Sequence, residues 1–345
     1  MLRQRWITPV VLYYGRTLLH SPSAVYSLRA LSYHHNLLSH SHNVKSHRLF
    51  STTTQTTTKR MDTKTPIVVI VGAGSKHDKG VEASGLDDLP PSVRWGLGGA
   101  LPLVFAEHGC HIVLMGRRTE VLEQVARNVR TIMDNNSSDD SSKKVVCIPC
   151  DVTDSGMVKT AFATIHNDHF DTTKSYIDCV VFNIAAPFPP GFSFGEDCLQ
   201  PHQLDPDEMT KQHDIQVNGL VRVCQQVVPG MLERSRGCIL LSGATMQLRG
   251  GAKFAAIAPA KTALRSLGQS MFQTYGPRGI HVCNLVIDGV IDSPNTRAWM
   301  PPEKLMNPYD IASQYYSAYQ QPSTVWSFEI TISPGFSAQS VGMRM

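Results

Sequence analysis

The chain has 345 residues, 42% of them apolar, enough for a sizeable core, and no apolar run of about 18 residues that would read as a membrane span. Its formal charge of +4 is unevenly laid out. Residues 1–61 hold eight Lys/Arg and no acid, leaving 24 basic against 28 acidic side chains in the rest, a balance that argues against nucleic acid as the main partner.

The first 60 residues are rich in Ser, Thr, His and Arg, the composition of an organellar transit peptide rather than of a domain. Arg48-Leu49-Phe50-Ser51 reads as a processing site. The expected location is the mitochondrial matrix. A plastid is the next alternative, and a start at Met61 would give a cytosolic form.

From residue 66 short apolar runs alternate with helical patterns, the signature of a parallel sheet covered on both faces. Strands are expected at Ile67–Val71, His111–Met115, Val145–Pro149, Ile177–Phe182, Cys238–Leu241, His281–Ile287 and Val325–Ile332. Helices are expected over about 97–108, 118–133, 154–169, 207–235, 253–275 and 308–320. The fold class is α/β: one doubly wound domain over 66–333 with a seven-stranded parallel sheet, a leader at 1–60 and a tail at 334–345.

The first strand runs into Gly72-Ala73-Gly74, and Gly96-Leu97-Gly98-Gly99 then opens a helix. Together they read as a strand, glycine turn and helix that hold a pyrophosphate at a helix N-terminus. The 21 residues Ser75–Trp95 interrupt that turn. They form either a flap over the pyrophosphate, with Lys76 or Lys79 adding charge, or a surface insertion of small closure cost. Two further loops stand out. Asn135–Lys144 is a polar low-complexity connection, and the Pro/Gly-rich stretch 187–206 follows the fourth strand, where it would border a substrate cleft. Cys147 and Cys150 form the sole CxxC of eight cysteines. Their spacing along a strand turns them to opposite faces, so they read as structural thiols and not as a metal site.

The second strand ends in Gly116-Arg117-Arg118 with no acid at its tip. An acid there would bind ribose hydroxyls, whereas two guanidinium groups suit a 2′-phosphate. The alternative is a pair of exposed helix-start arginines. After the third strand, Asp151 can accept from an adenine amino group and Asp154 can cap the next helix. The small residues of Asn183-Ile184-Ala185-Ala186 let backbone approach a ligand. Gln216-Val217-Asn218-Gly219 places an amide, Asn218, where the helical pattern points inward. Leu241-Ser242-Gly243-Ala244-Thr245, then Lys261, then Asp288-Gly289-Val290-Ile291-Asp292-Ser293-Pro294 complete the series.

Over residues 66–333 this series resembles the short-chain dehydrogenase/reductase family. The resemblance implies a Rossmann sheet binding NAD(P)(H), with NADP(H) favoured over NAD(H) by the arginines. By matched position Gly72, Gly96, Leu97 and Gly98 would line the pyrophosphate and nicotinamide ribose, Arg117 and Arg118 the 2′-phosphate, and Asp151 and Val152 the adenine. Asn183, Ala185 and Lys261 would hold the nicotinamide ribose, and Gly289, Ile291 and Ser293 the carboxamide. A homodimer or homotetramer through the long helices is implied as well.

The resemblance breaks at the proton donor. Carbonyl reductases of the family carry a Tyr four residues before the Lys and a Ser thirteen before the Tyr; here those positions are Ile257 and Ala244. The enoyl-reductase alternative, a Tyr seven before the Lys, is Phe254. Asn218 and Lys261 remain as catalytic candidates, with Ser242 and Thr245 as weaker substitutes and Lys253, Tyr309, Tyr315 and Tyr316 beyond them. Trp326-Ser327-Phe328-Glu329 resembles an atypical branch lacking the same Tyr and Ser. Two functions stay open: an NADPH-preferring oxidoreductase acting on a small carbonyl or enone, or a cofactor-binding pseudoenzyme serving as scaffold or nucleotide sensor.

Overall fold

The computed structural model describes residues 64–74, 86, 88–136, 143–171, 173–192 and 197–335. The leader at 1–60, Lys76 and Lys79 of the interruption, and all but the first two residues of the tail lie outside them.

Seven parallel strands form one sheet in the order β3-β2-β1-β4-β5-β6-β7. They are β1 Thr65–Val71, β2 His111–Gly116, β3 Val145–Pro149, β4 Ser175–Phe182, β5 Gly237–Ala244, β6 Ile280–Ile287 and β7 Glu329–Ile332. The helices are α1 Pro91–Arg94, α2 Leu97–Glu107, α3 Thr119–Asn136, α4 Ser155–Thr164, α5 Pro206–His213, α6 Gly219–Glu233, α7 Ala258–Tyr275, α8 Pro294–Arg297 and α9 Pro308–Tyr319. Side chains alternate along each strand between two cores. Val68 and Ile70 join α2, α3 and α9 through Leu101, Phe105, Leu122, Val125, Ile311 and Ala312. Ile67, Val69 and Val71 join α4, α6 and α7 through Val158, Phe162, Leu220, Val223, Leu264 and Met271. A sheet covered on both faces explains why strand residues 67–71 are apolar without interruption.

Strand order reverses between β1 and β4, so the crevice for a ligand opens at the carboxyl ends of these two strands. Glycine makes the crossing possible. Gly72, Gly74 and Gly96 have φ of +93°, +85° and +59°, a region that disfavours side chains.

Four expected elements differ. The expected helix 154–169 is α4 followed by a π-turn at Ile165–His169. The last strand, expected from Val325, begins at Glu329, because Ser323–Val325 form a single 3-10 turn. The expected helix 253–275 starts at Ala258 with Pro259 in its first turn, a position that suits proline. The expected helix 207–235 is α5 and α6 joined by a π-turn at Asp214–Asn218. All eight cysteines are free. Cys147 packs against the α2–α3 side and Cys150 lies within the other core. Among the described residues no helix is long and apolar enough to cross a membrane.

Candidate functional site

A cleft of about 1770 Å³ runs along the carboxyl edge of the sheet from β3 to β6. Its first half is made of backbone. Gly98, in the first turn of α2, packs on the β1 turn so closely that a Cβ would meet Gly74 O at 2.4 Å and Gly72 O at 2.7 Å. A Cβ on Gly72 would meet Asn183 O at 2.8 Å. No side chain caps α2, and no acid stands in its first turn. With Gly96, Leu97 and Gly98 lining the cleft, the helix N-terminus is presented to it, the arrangement that receives a phosphate.

Arg117 and Arg118 follow β2 and line the same end of the cleft, Arg117 exposed and Arg118 half-buried. Asp151 and Val152 form the wall after β3. One oxygen of Asp151 accepts from the Thr153 amide at 2.9 Å and the Thr153 hydroxyl at 2.8 Å. Asp154 caps α4 through the Met157 amide. Arg222 braces the wall, donating to Val152 O at 3.1 Å and Asp214 Oδ1 at 2.8 Å.

Asn183 and Ala185 line the middle. The Asn183 amide donates to Gly72 O at 3.2 Å, and its oxygen accepts from Ser242 Oγ at 2.7 Å. Ser242 in turn accepts from the hydroxyl of Tyr315, fully buried on α9, at 2.7 Å. Lys261 is 7% exposed and its ammonium donates to Ser242 O at 3.2 Å and Ile184 O at 3.4 Å. Thr245 donates to Asp288, which is fully buried and also accepts from Ser333 Oγ. The far rim, with Gly289, Ile291 and Ser293, is held by a bridge from Ile291 to Met306 and by a two-point ion pair between Asp292 and Arg297 at 2.7 and 2.8 Å.

One expectation is corrected. Asn218 is exposed and outside the cleft, donating to Asp214 at 3.0 Å. The inward amide of that segment is Gln216, fully buried and lining the cleft, with Nε2 bonded to Gln212 and Oε1 lacking a protein partner. A π-turn adds one residue per turn and rotates the helix beyond it, so an α-helical wheel picks the wrong amide. The Asn218 amide and Arg222 guanidinium hold the Asp214 carboxyl below its usual value.

Ile257, Ala244 and Phe254 all line the cleft, so the positions of the missing acid are occupied by groups without a transferable proton. The tyrosines that could substitute are committed elsewhere: Tyr309 donates to Glu107, Tyr315 to Ser242, and Tyr316 stacks on His108 at 3.6 Å. Among the described residues, no His/Cys/Asp/Glu group is arranged to hold a metal.

Known proteins share this fold. A family model described as enoyl-(acyl carrier protein) reductase matches residues 93–313. An uncharacterized oxidoreductase of Staphylococcus aureus (strain MW2) is 27% identical over 240 residues, 69% of this chain and 93% of the relative. A short-chain dehydrogenase from Rhodopseudomonas palustris superposes with a TM-score of 0.56 at 23% identity, over 78% of this chain and 98% of its own. L-Sorbose reductase from Gluconobacter frateurii, solved with NADPH and L-sorbose, gives 0.59 at 17%, over 79% and 97%. The chain belongs to the short-chain dehydrogenase/reductase family of oxidoreductases.

Proposed function

We propose that the chain is an NADPH-preferring oxidoreductase. The observation that carries this reading is the pair Arg117 and Arg118 at the end of β2, where a ribose-binding acid would otherwise stand, lining a cleft that Lys261 also lines. The backbone turn fits a dinucleotide because Gly72, Gly74, Gly96 and Gly98 keep it clear of side chains. Gly72, Gly96, Leu97 and Gly98 would hold the pyrophosphate, Arg117 and Arg118 the 2′-phosphate, and Asp151 and Val152 the adenine. Asn183, Ala185 and Lys261 would hold the nicotinamide ribose, with Gly289, Ile291 and Ser293 at the carboxamide. When bound there, a dinucleotide would supply a hydride, and these residues of the chain would hold and orient it. Calorimetric titration with NADPH and NADH tests the preference, and equal affinity for both would overturn it.

A second reading, a cofactor-binding pseudoenzyme, is favoured by Ile257 and Ala244, neither of which can protonate an alkoxide. An NADPH-oxidation screen over ketones, aldehydes, enones and quinones separates the two. Turnover confined to the variant Ile257→Tyr with Ala244→Ser supports the pseudoenzyme; turnover by the wild type dismisses it. We also propose a homodimer or homotetramer, checked by sedimentation, and mitochondrial import with removal of the leader, checked by intact mass from the native cell.

A further inference from the structure

We propose that the substrate is a quinone, reduced to its hydroquinone in the aromatic half of the cleft. This rests on the NADPH reading above and names the substrate class for that same site.

The first observation concerns protons. Among the described residues lining the cleft there is no Tyr, His or Glu, and all six hydroxyls are spent on neighbours. Thr153 bonds Asp151, Thr210 bonds Pro206 O, Ser242 bonds Asn183, and Thr245 bonds Asp288. Thr296 donates to Ile291 O, and Ser293 shares its hydroxyl with Thr296. Hydride addition to a plain ketone leaves an alkoxide, which is about as basic as hydroxide and needs an acid at hand. Hydride addition to a quinone leaves a phenolate, roughly six orders of magnitude weaker as a base when tyrosine and water are taken as references. Such a product leaves as the anion or takes its proton from solvent. The hydroxyls described in this cleft, all engaged with neighbours, need donate nothing for that reaction to be completed.

The second observation concerns shape and charge. Beyond the nicotinamide end, Phe188, Met246, Phe254, Ile257, Val290 and Trp299 line the cleft. Phe188 and Trp299 are exposed, at 39% and 54%, despite their size. Phe188 lies flat on Phe192, with ring centres 4.4 Å apart and planes 9° from parallel. Phe254 stands 6.2 Å from the same ring. The flat rings of Phe188, Phe254 and Trp299 among apolar neighbours suit a planar conjugated ligand, which packs on them with more contact than a saturated ketone. Arg249 and Lys253 border this half and, with Lys261, place positive charge near a developing aryl oxyanion.

The step balances with NADPH as the reductant. One carbon–hydrogen bond of the dihydronicotinamide breaks, and its hydrogen and electron pair pass to one carbonyl oxygen of the quinone, where an oxygen–hydrogen bond forms, the ring becomes aromatic and the other oxygen is left as the phenolate. NADPH becomes NADP+, and the hydroquinone anion gains one proton from water.

The test uses dimethylnaphthoquinone, whose substituted ring carbons resist attack by cysteine thiols, and decalone, a saturated ketone of similar size. Without cofactor, the quinone should quench tryptophan fluorescence on binding, and Phe254→Ala should weaken it by about tenfold, the upper range for one aromatic pair. With NADPH, the quinone should be reduced at least about 100-fold faster than decalone. Ile257→Tyr with Ala244→Ser should raise the decalone rate by the larger factor. Equal rates on both compounds, quinone binding indifferent to Phe254→Ala, or no quinone turnover by protein that binds NADPH would each overturn the proposal. Failure to bind NADPH by calorimetry would instead overturn the function it rests on.

Discussion

Gly98→Ala tests whether the turn is built by close backbone approach. The added Cβ would lie 2.4 Å from Gly74 O, 2.6 Å from Gly74 N and 2.7 Å from Gly72 O. All three are main-chain atoms, so no rotamer change relieves the contact. Ordinary contact starts near 3.5 Å, so α2 and the β1 turn must part by about 1 Å. Overpacking in a dense interior costs about 1–3 kcal/mol, and a clash with rigid backbone belongs at the upper end. At about 2–4 °C per kcal/mol for a domain of this size, the melting temperature should fall by about 6–12 °C. The same 1 Å takes amides out of hydrogen-bond range of a phosphate. Losing one such charge-assisted bond, about 1.5–3 kcal/mol, weakens NADPH roughly 10- to 150-fold. Thermal melts and calorimetry read the two effects separately. Gly250→Ala, whose Cβ meets nothing within 4 Å, is the stability control. A Gly98→Ala protein that melts within about 2 °C of wild type and binds NADPH unchanged would refute the argument.

Replacing Arg117 and Arg118 together with Ser should weaken NADPH by roughly 10- to 150-fold while moving NADH far less; equal losses in calorimetry would remove the 2′-phosphate assignment. Tyr315→Phe deletes the buried hydroxyl that donates to Ser242, which should cost about 1–3 kcal/mol in urea unfolding, and an unchanged midpoint would show that this bond contributes nothing. Hydrogen bonding from Arg265, then from Asn284, holds the Glu329 carboxyl below its usual 4.5. A depressed carboxyl contributes stability that is present above its unfolded value and lost as pH falls through its folded one. Wild type should therefore lose unfolding free energy more steeply than Glu329→Gln below about pH 4.5; parallel acid limbs would exclude this ion pair as a cause.

What the sequence discloses depends on whether the signal is local. Ile67–Val71 announces a buried strand because both faces of β1 are covered, and Gly72-Ala73-Gly74 announces a turn because only glycine fits its backbone. Val325 has a strand-former's side chain but is 64% exposed in a 3-10 turn after Pro322. There the neighbouring Trp326 stacks on His281, ring centres 5.0 Å apart, so a tertiary contact overrides propensity. The π-turn hides Gln216, although its spacing of four from the buried Gln212 repeats an amide on one face. The hydroxyl commitments are invisible for another reason. Thr245 finds Asp288 across 43 residues of sequence, and Ser242 finds Tyr315 across 73; no local pattern encodes such pairs.

The interruption at Ser75–Trp95 leaves the turn intact for a reason of the same kind. Gly98 is placed against Gly72 and Gly74 by contact, not by the path of the chain between them. Lengthening that path from a few residues to more than twenty is about three doublings, costing about 2 kcal/mol in closure entropy. The last part of the insertion returns that amount. Val93 and Trp95 are buried at 5% and 4% exposure, each worth about 1.5–3 kcal/mol for an aliphatic or larger side chain. Trp95 also sits where a Cβ on Gly99 would be, 2.3 Å from its own Cβ, with Arg94 stacked over its ring at 4.1 Å. The segment Pro91–Trp95 thus acts as a wedge that seats α2. Trp95→Ala should consequently destabilise the domain by about 3–5 kcal/mol, as a core residue would. A surface insertion would tolerate that substitution within about 0.5 kcal/mol, so urea unfolding of this one variant decides which description holds.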